Sequence, residues 1–265
     1  TFNISTTAAI IAAANDLHIC KNGGRSSSSK TGSVDVLEEL GVDFSQSLED
    51  KLIGLKKYKL AFHNSKAIAE RLAPLKNLAR EKKLSSFLSL LGPFTNPFLL
   101  KGQIIGVGKK EWFDKVCKLA KHAINKGYTQ NFAILQSYNK GQVFDELCSI
   151  AEARIRILTK DQDFEFEFKP QDFNFKASDK SSIEGGNSHK ENAAILNSII
   201  ANKTDKEKKE TSLINFALLK CLDDNELKQT NIKEKLLEAY QKGLKSLESL
   251  ECQKNWLEFL TSQDN

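Results

Sequence analysis

A glycine- and hydroxyl-rich segment at residues 21–41 combines residue types that hold an anion. It runs KNGGRSSSSKTGSVDVLEELG, with two glycines, four serines, and Lys30, Thr31 and Gly32 before a helical pattern. Backbone N–H groups of such a loop, together with the amino end of a following helix, favour negative charge. The segment therefore predicts a phosphate-binding loop, with a serine-rich linker as the alternative on composition alone. Its spacing differs from G-x-x-x-x-G-K-[ST], which argues against an ATPase P-loop.

Apolar runs on either side of this loop predict the elements that position it. Residues 7–15 predict a helix that starts after the N-cap types Ser5 and Thr6. The short apolar run 17–20 predicts a buried parallel strand. Residues 34–40 place apolar side chains on one helical face. The predicted order is helix, strand, glycine loop, helix.

The middle of the chain predicts a mixed sheet. Residues 104–108 and 132–135 predict buried strands, and the amphipathic segment 112–126 between them predicts a crossover helix, which makes a βαβ unit. Strict alternation at 153–158 and 164–168 predicts half-exposed antiparallel or edge strands.

Beyond Ser188 the pattern is helical, and the very polar stretch 202–210 predicts a solvated loop or helix face. The fold class expected from these elements is α/β, with a central mixed, largely parallel sheet flanked by helices.

The composition is that of a globular protein. Hydrophobic residues make up 40% and charged residues 28% of the 265 residues, which excludes collagen-like, disulfide-scaffold and wholly disordered chains. No apolar run approaches the length of a bilayer span, so we expect no membrane segment. The net charge of +5 is spread along the chain and is weak evidence for nucleic acid. Five scattered cysteines without a C-x-x-C pair predict buried thiols in a reducing cytoplasm and no zinc site.

The chain contains no methionine and begins at Thr1 without a charged leader or cleavage pattern. Chance is a poor explanation for the absence of methionine from 265 residues. We therefore expect that an N-terminal part precedes Thr1 and that methionines are missing from the printed chain.

Several linked motifs in register resemble the anthranilate phosphoribosyltransferase family, of the nucleoside-phosphorylase-like class. The motifs are NIST at 3–6, KNGGR at 21–25, SSSSKTGSVD at 26–35 and LEELG at 37–41. The match continues through LLGPFTNP at 90–97, QIIGV at 103–107, Asp145-Glu146, and Gly185-Gly186 with Glu191-Asn192-Ala193. The family's N-terminal helical segment and its Gly-Thr-Gly-Gly-Asp loop have no counterpart here. The resemblance thus implies that residues 1–265 form the phosphoribosyltransferase α/β domain, with the small helical domain mostly absent.

The resemblance implies transfer of a phosphoribosyl group from phosphoribosyl pyrophosphate to the amino nitrogen of anthranilate, in tryptophan biosynthesis. It also implies a magnesium cofactor, a cytoplasmic location and a homodimer. Displacement at an anomeric carbon passes through an oxocarbenium-like state, so the protein must mainly stabilise departing negative charge. No catalytic nucleophile is expected.

The family pattern assigns roles to particular residues of this chain. It places the phosphoribosyl pyrophosphate contacts on Asn3, Ser5, Thr6, Lys21, Gly23, Ser28 and Ser29. It places the magnesium ligands on Ser5, Asp145 and Glu146. Without the family, an adjacent Asp-Glu pair is usually a solvated surface pair, and Ser5 and Thr6 would be helix caps.

The acceptor side departs from the family pattern. The resemblance assigns acceptor contacts to Gly24, His63 and Lys76. Asn22 and Gly24 stand where the family has histidine and asparagine, and Lys76 stands where it has arginine. Lysine keeps the charge but lacks the planar fork that arginine offers a carboxylate. A different aromatic or heterocyclic acceptor therefore stays open.

Two other functions stay open as well. A family paralogue could have kept the fold and become a nucleic-acid-binding protein, which the isoelectric point of about 8.8 and the acceptor-side changes favour. A nucleoside phosphorylase is a weaker third reading, because those enzymes lack the Ser28-Ser29 and 32–35 arrangement.

Overall fold

A computed structural model describes residues 1–25, 32–64 and 92–263 of the chain. Ser28, Ser29 and Lys76 lie outside the described residues, so their predicted roles stay predictions. The described helices are α1 (Ile4–Ala14), α2 (Ser33–Glu39), α3 (Leu48–Tyr58), α4 (Phe113–Asn125), α5 (His189–Ile200), α6 (Lys206–Asp223), α7 (Ile232–Glu248) and α8 (Glu251–Thr261).

The described strands form two sheets. The first pairs β1 (Ile19–Gly23) with β2 (Leu60–Asn64) in parallel. The second has the order β3-β4-β6-β7 with β5 beside β4, and its strands are β3 (Leu100–Gly106), β4 (Thr129–Asn139), β5 (Gln142–Phe144), β6 (Glu152–Leu158) and β7 (Asp163–Phe168). Together with the helices they confirm the α/β fold class.

The predicted crossover unit is confirmed. Strands β3 and β4 pair in parallel, with the amphipathic α4 between them in the chain. Alternate residues of β4 face opposite sides of the sheet. Phe132 and Ile134 pack with α4 residues in one core cluster, whereas Ala133 and Leu135 pack in another with α1 and α6 residues. Helices therefore cover both faces of this sheet.

Over the two sheets of the described residues, strand pairing is mixed but not largely parallel. Among the described strands two pairings are parallel, β1–β2 and β3–β4, and three are antiparallel, β4–β5, β4–β6 and β6–β7. The turn between β4 and β5 consists of Lys140 and Gly141, both with positive φ (48° and 80°), which suits a tight hairpin. Short turns between consecutive strands impose antiparallel pairing on β4–β5 and β6–β7, which accounts for two of the three antiparallel pairings.

One predicted boundary also shifts. Residues 21–23, expected in a loop, continue β1, because they pair with residues 62–64 of β2. A distant strand causes this shift, so it has no local signal. In the polar stretch 202–210, expected as a solvated loop or helix face, α6 begins at Lys206, and only Glu210 is buried, at 4% exposed.

The centre of the larger core is the alanine-rich α1. Ala8, Ala9 and residues 10–13 are at most 2% exposed, because α1 packs against α6, α7 and α8 as well as β1. A helix that is apolar all round is expected to be buried in this way. None of the helices in the described ranges is both long and apolar enough to cross a bilayer.

Candidate active site

One cavity of about 880 Å³ runs along β1 and β3 and is lined by residues 16–24 and 98–104 and by Gly106. Its lining includes the carboxyl ends of both strands, Gly23 and Gly106, and ligands of open α/β sheets bind at this edge. Among the residues that line it are Ser5 of α1, residues 21–24, Gly106, and the acidic pair Asp145 and Glu146. Six predicted site residues thus line the same cavity: Ser5, Lys21, Gly23, Gly24, Asp145 and Glu146. Asn3, Thr6 and His63 lie outside the described lining.

The first turn of α1 points its hydroxyl groups in different directions. Ser5 is exposed on the cavity wall, whereas Thr6 is 1% exposed and its Oγ1 has no hydrogen-bond partner among the described residues. Asn3 is the N-cap, and its carbonyl accepts a hydrogen bond from Thr7 Oγ1 at 3.0 Å. No acidic residue lies in this turn, so the partial positive charge of the eleven-residue helix is left for a ligand.

The acidic pair follows β5, and its backbone contacts β3 and β4. The Ser137 hydroxyl of β4 donates to the Glu146 carbonyl at 2.6 Å. An added Cβ on Gly106 would overlap the backbone of Asp145, so β3 leaves space for the loop only because glycine stands there. Asp145 is exposed and Glu146 is partly buried.

Burial perturbs the charges on this wall. Burial, followed by the neighbouring Asp145 carboxylate, raises the pKa of Glu146 to about 7, although a hydrogen bond from Thr1 and the charge of Lys21 oppose this rise. Burial also lowers the pKa of the Lys21 ammonium, which Glu146 partly offsets. An ammonium and two carboxylates therefore share one partly desolvated wall, where an incoming ion interacts strongly with them.

The oxygen donors on this wall fit magnesium. Mg²⁺ is usually held by one or two carboxylates, with water and phosphate oxygens completing its octahedron. Asp145 and Glu146 supply two carboxylates to the cavity lining, which also contains Ser5. The described residues contain no cluster of three or more His, Cys, Asp or Glu that could hold a metal ion by itself. A divalent cation would also stabilise the Glu146 carboxylate, which burial disfavours.

Ion pairs join the two ends of the glycine loop. Arg25, just after β1, contacts Asp35 at 2.8 Å and Glu38 at 2.5 Å on α2. The Gly32 N–H donates to Asp35 Oδ2 at 3.1 Å. At Gly23 an added Cβ would lie 2.7 Å from Ser33 Oγ, so the end of β1 and the start of α2 are in close contact. Both ends of the predicted phosphate loop therefore lie beside the cavity.

The acceptor side carries two unsatisfied polar atoms. Asn22 and His63 are register partners on β1 and β2. Asn22 Oδ1 and His63 Nδ1 are buried and have no hydrogen-bond partner in the described ranges. The Asn22 amide nitrogen lies 3.5 Å from both Gly92 O and Thr95 Oγ1. Burial, together with Lys51, lowers the pKa of His63, which keeps its imidazole neutral at neutral pH.

Three residues that shape the site were not singled out from the sequence. Gly106 is the glycine of the matched motif QIIGV at 103–107, so a glycine at this position could have indicated a close backbone approach. Ser137 and Asn215, which contact the backbone of the acidic loop, lie in a strand and a helix with no local pattern that marks them.

Residues 1–246 match the sequence profile of the glycosyl transferase family, a/b domain. The chain belongs to this family. Within it, curated relatives are anthranilate phosphoribosyltransferases, which confirms the resemblance. The enzyme of Bacillus cereus (strain AH187) is 33% identical over 201 residues, or 76% of this chain and 57% of the relative. The chain thus spans a little over half the length of these curated relatives.

Solved anthranilate phosphoribosyltransferases share the fold. Anthranilate phosphoribosyltransferase from Thermus thermophilus matches with a TM-score of 0.78 at 22% identity, over 100% of this chain and 74% of that one. The enzyme from Saccharomyces cerevisiae in complex with PRPP and Mg matches with a TM-score of 0.74 at 24% identity, over 100% and 70%. At these identities the likeness establishes the α/β architecture.

Proposed function

We propose that the chain is the phosphoribosyl-pyrophosphate-binding α/β domain of a magnesium-dependent anthranilate phosphoribosyltransferase of tryptophan biosynthesis. One observation carries this proposal: Ser5, Lys21 and the Asp145-Glu146 pair, separated by up to 141 positions, line a single cavity. These are the residue types that a pyrophosphate with its magnesium ion requires. The name of the Bacillus cereus relative supports the same activity.

In this proposal Lys21 and the amino end of α1 face the pyrophosphate, with Ser5 beside them. The ammonium and the helix N–H groups favour the negative charge that grows on the leaving group. Asp145 and Glu146, with the Ser5 hydroxyl, would hold magnesium. When bound, that ion neutralises pyrophosphate charge as a Lewis acid.

The acceptor amine attacks the anomeric carbon as the carbon–oxygen bond to pyrophosphate breaks. Because this displacement needs stabilised departing charge more than an activated side-chain nucleophile, we assign no residue as a nucleophile. Asn22, Gly24, His63 and Lys76 belong to the proposed acceptor side. Asn22 and Gly24 lie on the cavity wall, which supports an acceptor site there.

The remaining parts of the proposal concern the whole protein. We infer a single α/β domain over residues 1–265, joined in the complete protein to a small helical domain through which family members dimerise. All five cysteines are free thiols, which supports a cytoplasmic location.

Titration of the full-length protein with phosphoribosyl pyrophosphate and magnesium, followed by a fluorescence assay of anthranilate consumption, tests the function. We expect donor binding and turnover. The double variant Asp145→Ala/Glu146→Ala should lose magnesium-dependent binding, whereas Asp161→Ala/Glu167→Ala, two exposed acids away from the cavity, should retain it. Donor binding without anthranilate turnover would indicate a changed acceptor. Absence of donor binding would overturn the proposal.

A further inference from the structure

The backbone just after the acidic pair is clamped by a side chain from helix α6. Asn215 Oδ1 accepts the Leu147 N–H at 3.3 Å, and Asn215 Nδ2 donates to the Leu147 carbonyl at 2.7 Å. The same amide nitrogen donates to Thr211 O within α6 at 2.8 Å. Leu147 directly follows Glu146 and has no exposed surface.

This contact replaces the pairing that a neighbouring strand would provide. A carboxamide carries one acceptor and two donor hydrogens on the same fork, so it can satisfy both backbone groups of one residue. Buried backbone groups are otherwise costly to leave without partners. Leu147 is 0% exposed, so water is a poor substitute for Asn215 as the partner of its backbone groups.

The same helix holds the loop at a second point. The Ser149 N–H donates to Thr211 Oγ1 at 3.1 Å, one helical turn before Asn215. Asn215 also lines the cavity that contains Asp145 and Glu146. Helix α6 thus holds the backbone of the loop at two residues that follow the two carboxylates.

We propose that Asn215 is a positioning residue that fixes the Asp145-Glu146 carboxylates for magnesium and pyrophosphate. The inference rests on the proposed function for the identity of these ligands. Residues that orient metal ligands commonly change metal affinity about 10- to 100-fold when they are replaced. The isolated helix pattern of α6 gives no hint of this role.

The test compares Asn215→Leu, which keeps a similar shape without hydrogen bonds, with the full-length wild-type protein. The matched control is Asn131→Leu, because the Asn131 amide donates to Leu222 O of the same helix at 3.2 Å and, within the described residues, has no hydrogen bond to the acidic loop. Two quantities are measured: amide hydrogen exchange of a peptide that spans residues 145–149, and the magnesium concentration that half-saturates binding of phosphoribosyl pyrophosphate.

For Asn215→Leu we expect faster exchange at residues 145–149 and a half-saturating magnesium concentration at least about tenfold higher. Mn²⁺ binding followed by electron paramagnetic resonance should weaken by the same factor. The control should stay within about twofold of wild type in both ion measurements, since no loop contact is lost. If Asn215 only stabilised the fold, both variants would have lower melting temperatures, but their half-saturating magnesium concentrations would not differ.

Asn215→Asp is the second variant, for use if Asn215→Leu does not fold. It keeps an oxygen that accepts the Leu147 N–H but loses the amide N–H groups that donate to the Leu147 carbonyl. We expect it to require more magnesium as well. Unchanged magnesium dependence in a folded Asn215 variant would overturn the inference while leaving the proposed function intact. If the wild-type protein binds neither magnesium nor phosphoribosyl pyrophosphate, the proposed function and the positioning role both fail. This holds even if hydrogen exchange shows that Asn215 still protects residues 145–149.

Discussion

Gly106, the last residue of β3, lies directly against the backbone carbonyl of Asp145, the first residue of the acidic pair. An added Cβ would overlap this carbonyl, which belongs to backbone and cannot rotate away. The close approach lets the acidic loop cross the end of β3 above the cavity. The position of both carboxylates thus depends on the absence of a Cβ at Gly106.

Gly106→Ala should displace the acidic loop. Overpacking of this kind costs about 1–3 kcal/mol of unfolding free energy. Binding of phosphoribosyl pyrophosphate in the presence of magnesium should weaken about tenfold or more, because the carboxylates move. Urea unfolding and calorimetric titration measure the two effects. In Gly108→Ala the new Cβ would meet only Asp145 Cβ at 4.0 Å, so both quantities should stay near wild type. Equal behaviour of the two variants would contradict the close-contact explanation.

The raised pKa of Glu146 predicts a pH dependence between about pH 4.5 and about 7. In this window the folded, metal-free chain binds more protons at this carboxyl than the unfolded chain does, so its stability should fall as pH rises. Magnesium requires the carboxylate, so its affinity should rise over the same range. Denaturation curves from pH 5 to 8, with and without magnesium, measure both trends.

Glu146→Gln is the control for this pH dependence. The amide does not titrate, so both trends should flatten in the variant. If the stability of Glu146→Gln still falls with pH as in wild type, the pH effect belongs to another group.

Thr6→Val should separate ligand binding from stability. The Thr6 hydroxyl is buried without a partner in the described ranges, so its loss should leave unfolding free energy unchanged or raised by up to about 1 kcal/mol. If the hydroxyl contacts phosphoribosyl pyrophosphate as the family pattern predicts, the affinity for this ligand should fall. Thr7→Val is the comparison, because Thr7 Oγ1 donates to Asn3 O and its loss should cost about 0.5–1.5 kcal/mol. Thermal melts and calorimetry report the two quantities, and a Thr6→Val protein with unchanged donor affinity would remove Thr6 from the site.

Lys21→Met should weaken donor binding while preserving the fold. Methionine fills a similar volume, and burial already disfavours the Lys21 ammonium, so the loss of charge should cost little stability. A hydrogen bond to a charged group contributes about 1.5–3 kcal/mol, which corresponds to about a 10- to 100-fold loss of affinity. The pKa of Glu146 should rise further, since Lys21 lowers it.

The control for Lys21 is Lys118→Met, an exposed position on α4 away from the cavity. It should bind the donor as wild type does when measured by the same calorimetric titration. Similar affinity losses in both variants would indicate a general charge effect and not a contact at Lys21.

The sequence alone was sufficient for the elements whose signal is local. The alanine-rich run gave α1, the alternation at 164–168 gave β7, and the apolar runs around the amphipathic segment 112–126 gave the β3-α4-β4 unit. Linked motifs also indicated the family and the residue types on the cavity wall. These features depend on neighbours within a few positions, which side-chain periodicity and turn chemistry record.

Only the tertiary structure decided which of those residues meet. Ser5 and Thr6 are adjacent in the chain, yet one lines the cavity and the other is buried, because the packing of α1 sets the rotation of the helix. Leu147 is satisfied by Asn215, 68 positions away, through a contact that no local pattern encodes. The sheet is less parallel than expected because hairpin turns direct β5 and β7 back along their neighbours. Long-range packing fixes these relationships, since its free energy depends on pairs of distant residues and not on either residue's own segment.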